Sequence, residues 1–371
     1  MIAWGPRSTY NEVVTWPSLT RSRRAVAFGL AVLVLALGLS SCSAGYVLRS
    51  AWYQAELLGS RVPIEKARKS GRLTAGQLAA LDRVADIKTF GREIGLQATR
   101  NYDSIALDWN RRIWNVSACA PLSFQSKTWW FPVVGRVPYL GYFERSQADG
   151  ATQKLAREGW DVYLRETGAY STLGWFRDPI LPSMLRWDEF DLADTILHEL
   201  AHATLWVKGS VAFNESFASF VGEEGAFRYL EARHGRDSDV YRRARERQED
   251  YDTWRDLQRG LYRDLENAYA DGASSEAAKR ERKAALFASL PARVEAAPFH
   301  ERAPFARAAG EGVWNNARLA QFRAYNSNRP SFEKLLARSG GDLLAFIERV
   351  RVATREGEPF AALVRAAEDP S

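Results

Sequence analysis

The chain has 371 residues, 46% of them hydrophobic and 26% charged, which is ample for a buried core and has the balance of a globular protein rather than a repeat or low-complexity chain. Its formal net charge is +6, but the arginines are spread along the chain and, in the C-terminal half, alternate with Glu and Asp. That pattern reads as solvated helix faces and argues against nucleic acid as a partner.

At the N-terminus, Arg21, Arg23 and Arg24 precede the apolar run Ala25–Leu39. The run is shorter than the ~20 residues a helix needs to span a bilayer. A basic flank, a short apolar core and small residues at its end are the layout of a signal peptide. The run closes on Leu39-Ser40-Ser41-Cys42, which resembles the lipobox of bacterial lipoproteins. The resemblance implies that residues 1–41 are removed and that Cys42 is the lipid attachment site. The membrane is then a partner through that N-terminal anchor. The protein faces the periplasm, with Ser43 compatible with the outer membrane of a Gram-negative bacterium. An uncleaved signal anchor is the alternative. With Cys42 acylated, Cys119, the second of the two cysteines, has no partner for an internal disulfide.

Residues 42–100 read as a helical segment, with Tyr46, Trp52, Ala55 and Leu58 near helical spacing and Thr74 as an N-cap. Strands are expected at Arg112–Ser117 and Thr128–Phe131, where aromatic and β-branched residues gather. Pro132, Gly135, Pro138 and Gly141 break up the next stretch. A helix is expected over 148–159, then strands at 161–165 and 169–173. Helices come next at 191–207, 213–234 and 239–269. Two or three more are expected beyond, separated by Gly272, Pro291, Pro298 and Pro330. The fold class is α+β: a small sheet followed by a helix-rich domain. In this division residues 101–235 form the core and residues 236–371 a helical region packed on it.

The stretch His198-Glu199-Leu200-Ala201-His202 carries the chemistry. Residues four apart lie above one another on a helix, so both imidazoles can reach one zinc ion. Glu199, next round the helix, can take a proton from a water that zinc has acidified to a pKa of about 7. Such a site wants a third protein ligand, and Asn214-Glu215-Ser216-Phe217-Ala218 on the next helix supplies a candidate.

These two motifs together resemble the gluzincin metallopeptidases. There a glutamate from a downstream Asn-Glu-x-x-Ala stretch completes a site of two histidines and one glutamate. The closest resemblance is to a group of bacterial lipoproteins described as aminopeptidases. It extends to Trp129-Trp130-Phe131-Pro132, Pro138 to Phe143, Gly159 to Tyr163, Gly174-Trp175-Phe176 with Asp178-Pro179, and Asn315 to Leu319. It implies a zinc peptidase acting on peptide substrates, with His198, His202 and Glu215 as metal ligands and Glu199 as the catalytic base. Two departures stand out. The gap from His202 to Glu215 is shorter than in the large gluzincin aminopeptidases, with Lys208-Gly209-Ser210 as the turn and Glu223 as the alternative ligand. In addition, Gly168-Ala169-Tyr170-Ser171-Thr172 stands where those enzymes carry an amine-binding glutamate, and it offers no carboxylate. Glu166, Asp178 or Asp188 would have to serve instead. Tyr170, Tyr142 and Tyr325 are the candidates for a donor to the oxyanion. His234 and His300 read as surface residues. The alternatives are a zinc endopeptidase, a hydrolase of cell-wall amides, and a non-catalytic zinc-containing envelope scaffold.

Overall fold

The computed structural model describes residues 42–131, 135–167, 177–325 and 328–369. Helix α1 (Cys42–Gly59) is followed by strand β1 (Val62–Pro63), helix α2 (Ile64–Lys69) and helix α3 (Ala75–Glu93). Thr74 caps α3 as its sequence position predicts. Its hydroxyl accepts the Gln77 N–H at 3.3 Å, and the Gln77 side chain takes the Thr74 N–H at 2.9 Å. This reciprocal pair satisfies two amides that a bare helix end would leave without partners.

The β region comprises β2 (Ser104–Ile105), β3 (Ile113–Cys119), β4 (Trp129–Phe131), β5 (Gly135–Val137), β6 (Tyr139–Tyr142) and, after helix α4 (Arg145–Arg157), β7 (Asp161–Thr167). Both strands expected before Pro132 form, and the helix expected over 148–159 starts and ends earlier. Pro138 and Gly141 do not end the β structure: Gly141 lies within β6, opposite Asn115. Proline falls between two strands there, where it costs no ladder hydrogen bond. A three-stranded antiparallel sheet runs β6-β3-β7, with Val116 of the central strand opposite Leu140 and Leu164. Ala148 and Leu155 of α4 close over Val116 and Ala118. The expected strand at 169–173 lies outside the described residues.

The remainder is helical: α5 (Glu189–Thr204), α6 (Val211–His234), α7 (Asp239–Ala270), α8 (Glu276–Ala288), α9 (Leu290–Ala296), α10 (Ala303–Gly310), α11 (Asn316–Tyr325), α12 (Arg329–Arg338), α13 (Leu343–Ala353) and α14 (Pro359–Glu368). Among the described residues seven helices thus come after α7, not two or three. The reason is local. Proline occupies the first positions of α9, α10, α12 and α14, where its missing N–H costs nothing, so it starts helices there instead of merely parting them.

The chain divides into two units, Met1–Tyr53 and Gln54–Ser371. No described helix is long and apolar enough to cross a membrane. Within the second unit α6 is buried on opposite sides. Phe213, Phe217 and Phe220 meet Phe332 of α12, Phe346 of α13 and Phe360 of α14 at centroid distances of 5.3–6.3 Å. On the other side Gly222 and Gly225 press against α5, where a Cβ on Gly222 would stand 2.7 Å from the Asp194 carbonyl oxygen and one on Gly225 would stand 2.8 Å from Leu197. Only glycine allows backbones this close.

Candidate metal centre

Helix α5 is capped by Asp188, whose carboxylate accepts the Asp191 N–H at 2.9 Å. Arg247 from α7 bonds both Asp188 and Asp191, which anchors this end of the helix. The last two turns carry His198 and His202, with ring centroids 4.7 Å apart and planes at 87°. Connector residues 205–210 turn at Gly209, which has a φ of 83°. α6 then runs back along α5 and brings Glu215 to the histidines.

The Glu215 Oε2 atom lies 3.6 Å from His198 Nε2 and 3.7 Å from His202 Nε2. These separations are long for hydrogen bonds. They sit close to the roughly 3.4 Å between ligand atoms of a tetrahedral metal with bonds of about 2.1 Å. One donor atom from each of His198, His202 and Glu215 lies within 4.8 Å of the others. Two imidazoles and a carboxylate form a donor set suited to a divalent transition metal. His202 and Glu215 are buried, whereas His198 keeps some exposure. The geometry and the donor chemistry therefore fit a metal ion.

The electrostatics agree. Burial alone would lower the His198 pKa, but the carboxylates of Glu215, Glu199 and Asp194 outweigh it and raise the value to about 9. Burial favours the neutral form of Glu215, yet the two imidazoles hold it at about 2. Burial pushes Asp194, one turn before His198, up to about 7 against the pull of the His198 charge. The pocket is rich in carboxylates and calls for a cation, which a proton on His198 supplies when no metal is bound.

None of the other described sequence candidates joins the three-residue donor cluster. Glu223 is buried between Arg255, at 2.7 Å, and Arg329, and is committed to those two guanidinium groups. His234 faces Glu189 at 3.1 Å and His300 faces Glu249 at 2.9 Å. Glu166 pairs with Arg112 at 2.8 Å, and Asp188 is engaged as cap and ion-pair partner. Asp178 is buried beside Tyr102, whose N–H donates to the Asp178 carbonyl at 2.7 Å. Tyr142 stands on β6, while Tyr170 and the side chain of Tyr325 lie outside the described residues. Asn315 and Asn316 serve as joints. Asn315 donates to the Val162 carbonyl at 2.8 Å and Asn316 to that of Ala120 at 2.9 Å, tying α11 to the sheet.

Tyr102 is a residue that sequence reasoning misses. It is 1% exposed, has a φ of 63°, and its hydroxyl has no hydrogen-bond partner among the described residues. Burial, together with the carboxylates of Glu199 and Asp178, pushes its pKa well above the ordinary value, so the hydroxyl stays protonated. A bulky residue in the left-handed region and a buried unpaired hydroxyl are two costs at one position, and such costs cluster at functional sites. No periodicity or motif signals either of them.

Residues 45–358 match the model of a protein family described as "Putative aminopeptidase". No curated protein and no solved structure matches the chain.

Proposed function

The chain belongs to this aminopeptidase family, and on that premise we propose that it is a zinc-dependent peptidase of gluzincin type whose metal is held by His198, His202 and Glu215. The family supports a peptidase acting on peptide substrates. The observation that carries the finer reading is the convergence of the three donor atoms at separations suited to one metal ion and too long for hydrogen bonds. When bound, zinc supplies Lewis acidity, polarising the scissile carbonyl and acidifying a water molecule.

The chain's own residues do the rest. Glu199 follows His198 on α5, and its carboxylate contributes to the field that raises the His198 pKa. We assign it the proton of the attacking water, which it takes and returns to the leaving nitrogen. His198 and His202 present Nε2 from one helix face. Glu215 closes the set from the facing helix and neutralises part of the metal's charge. Glu199 has no structural use in a purely metal-holding protein, which favours hydrolysis over scaffolding.

We also propose that the protein is lipid-anchored through Cys42 and faces the periplasm, on the strength of the Leu39-Ser40-Ser41-Cys42 stretch.

Peptide hydrolysis should disappear on chelation and return with stoichiometric zinc. Free and N-blocked peptides assayed side by side divide exopeptidase from endopeptidase action, since only an aminopeptidase requires the free α-amine. Hydrolysis that survives complete metal removal would sink the zinc reading.

A further inference from the structure

The connector between α5 and α6 is held by one buried side chain. Leu205 leaves α5 in an extended conformation, with a φ of −142° and a ψ of 120°. Asn214, in the first turn of α6, is 1% exposed. Its Oδ1 accepts the Val207 N–H at 2.8 Å, and its Nδ2 donates to the Val207 carbonyl at 2.9 Å. The amide thus satisfies both main-chain groups of one connector residue, the service a neighbouring strand would otherwise give. The Asn214 N–H donates to the Ser210 carbonyl at 3.1 Å, so main chain and side chain are both fixed.

Each end of this clamp reaches a proposed ligand. Asn214 immediately precedes Glu215. Val207 immediately follows Trp206, whose ring meets that of His202 edge-on with centroids 5.5 Å apart. The His198 ring also meets that of His202, with centroids 4.7 Å apart, and the His202 Nδ1 is buried with no hydrogen-bond partner among the described residues. Metal-bound histidines ordinarily donate that nitrogen to a carboxylate or carbonyl that fixes the ring. Here the ring's orientation rests on packing, between His198 of its own helix and Trp206, which the clamped connector carries.

We propose that Asn214 is a positioning residue: by clamping Val207 it sets the placement of Glu215 and, through Trp206, the orientation of His202, and thereby the affinity for the metal. The inference rests on the reading of His198, His202 and Glu215 as a metal site. It also accounts for how a connector this short can serve: the turn is locked, so the ligand on the second helix needs no longer insert to reach the first.

The test compares the zinc dissociation constants of the full-length wild type, Asn214→Ala, Asn214→Asp and the exposed connector control Lys208→Ala. Each is measured by chelator competition at a temperature where circular dichroism shows all four folded. Asn214→Ala should bind zinc roughly 10–100-fold more weakly, the range for residues that support metal ligands. Asn214→Asp keeps the shape and the bond from the Val207 N–H but sets an oxygen against the Val207 carbonyl, and should fall between. Lys208→Ala should match wild type. If Asn214→Ala does not fold, Asn214→Asp decides by the same measure. A folded Asn214 variant with wild-type zinc affinity, whatever its melting temperature, reduces the clamp to a fold contact and overturns the proposal. A wild-type protein that takes up no zinc overturns the site reading and this inference together, and is told apart because the wild type itself then fails.

Discussion

Individual residues divide into those whose neighbours in sequence determine their role and those whose role comes from distant chain. His198, Glu199 and His202 belong to the first kind, since helical spacing alone places two imidazoles on one face. Glu215 was legible through its motif, and the structure brings its carboxylate to both imidazoles. Tyr102 belongs to the second kind: its setting depends on Asp178, Glu199 and a left-handed backbone that no local pattern announces. Glu223 could be weighed as a ligand from spacing alone because its partners, Arg255 and Arg329, lie far along the chain. The cysteines give a prediction at this scale. Cys119 is fully buried, and burial first, then the Asp161 carboxylate, pushes its thiol up to about 12. The thiolate is the reactive form, so Cys119 should resist alkylation at pH 8 in the folded protein. The proposed lipid anchor blocks the Cys42 sulfur, so under that proposal protein taken from membranes should offer one titratable thiol, Cys119, after unfolding. Two thiols there would contradict the lipid anchor.

At the scale of elements, the pairing of α5 with α6 decides the site. Helical character locates both helices in the sequence, with Lys208-Gly209-Ser210 as the turn between them, but the structure starts the first at Glu189 behind an Asp188 cap and ends it at Thr204, short of the expected Val207. What sequence could not convey was how close they come. A Cβ on Gly222 would stand 2.6 Å from Asp194 Oδ1, 2.7 Å from the Asp194 carbonyl oxygen and 3.1 Å from His198 Cβ. The carbonyl is main chain and cannot swing aside. Gly222→Ala must therefore push the helices apart or distort the turn that carries His198. Overpacking of this kind costs about 1–3 kcal/mol. Denaturant unfolding of the metal-free variant should show that loss, along with weaker zinc binding. Unchanged stability and affinity would mean that the close approach of the two helices is not what holds His198 opposite Glu215. The seven helices after α7 teach a related lesson. Pro291 and Pro330 read as breaks, yet both sit at helix starts, as do Pro304 and Pro359, and only the partners in space of the residues after them reveal which.

For the whole molecule, the α+β class was legible because aromatic and β-branched segments precede a long amphipathic tail. The use of the C-terminal helices was not. Phe332, Phe346 and Phe360 close over the phenylalanines of α6, the helix that carries Glu215, so the C-terminal region backs the site. Asn315 and Asn316 tie α11 to the sheet on main-chain carbonyls. Burial couples these parts: Phe346 is 0% exposed, and Phe346→Ala should cost roughly 3–5 kcal/mol. Chemical unfolding followed by near-UV circular dichroism should show one transition, shifted to lower denaturant. A cost below about 1 kcal/mol, or a separate early transition, would show that these helices do not support the core.

Bound zinc measured together with peptide hydrolysis, in wild type and Glu199→Gln, probes the proposed zinc peptidase at its root. Both proteins should hold near-stoichiometric zinc, and the wild type should hydrolyse peptides. The variant should lose turnover by at least about a hundredfold, the lower end of what general base catalysis contributes. Full activity in zinc-loaded Glu199→Gln would contradict the assignment of the base, and absence of zinc from the wild type would contradict the site itself.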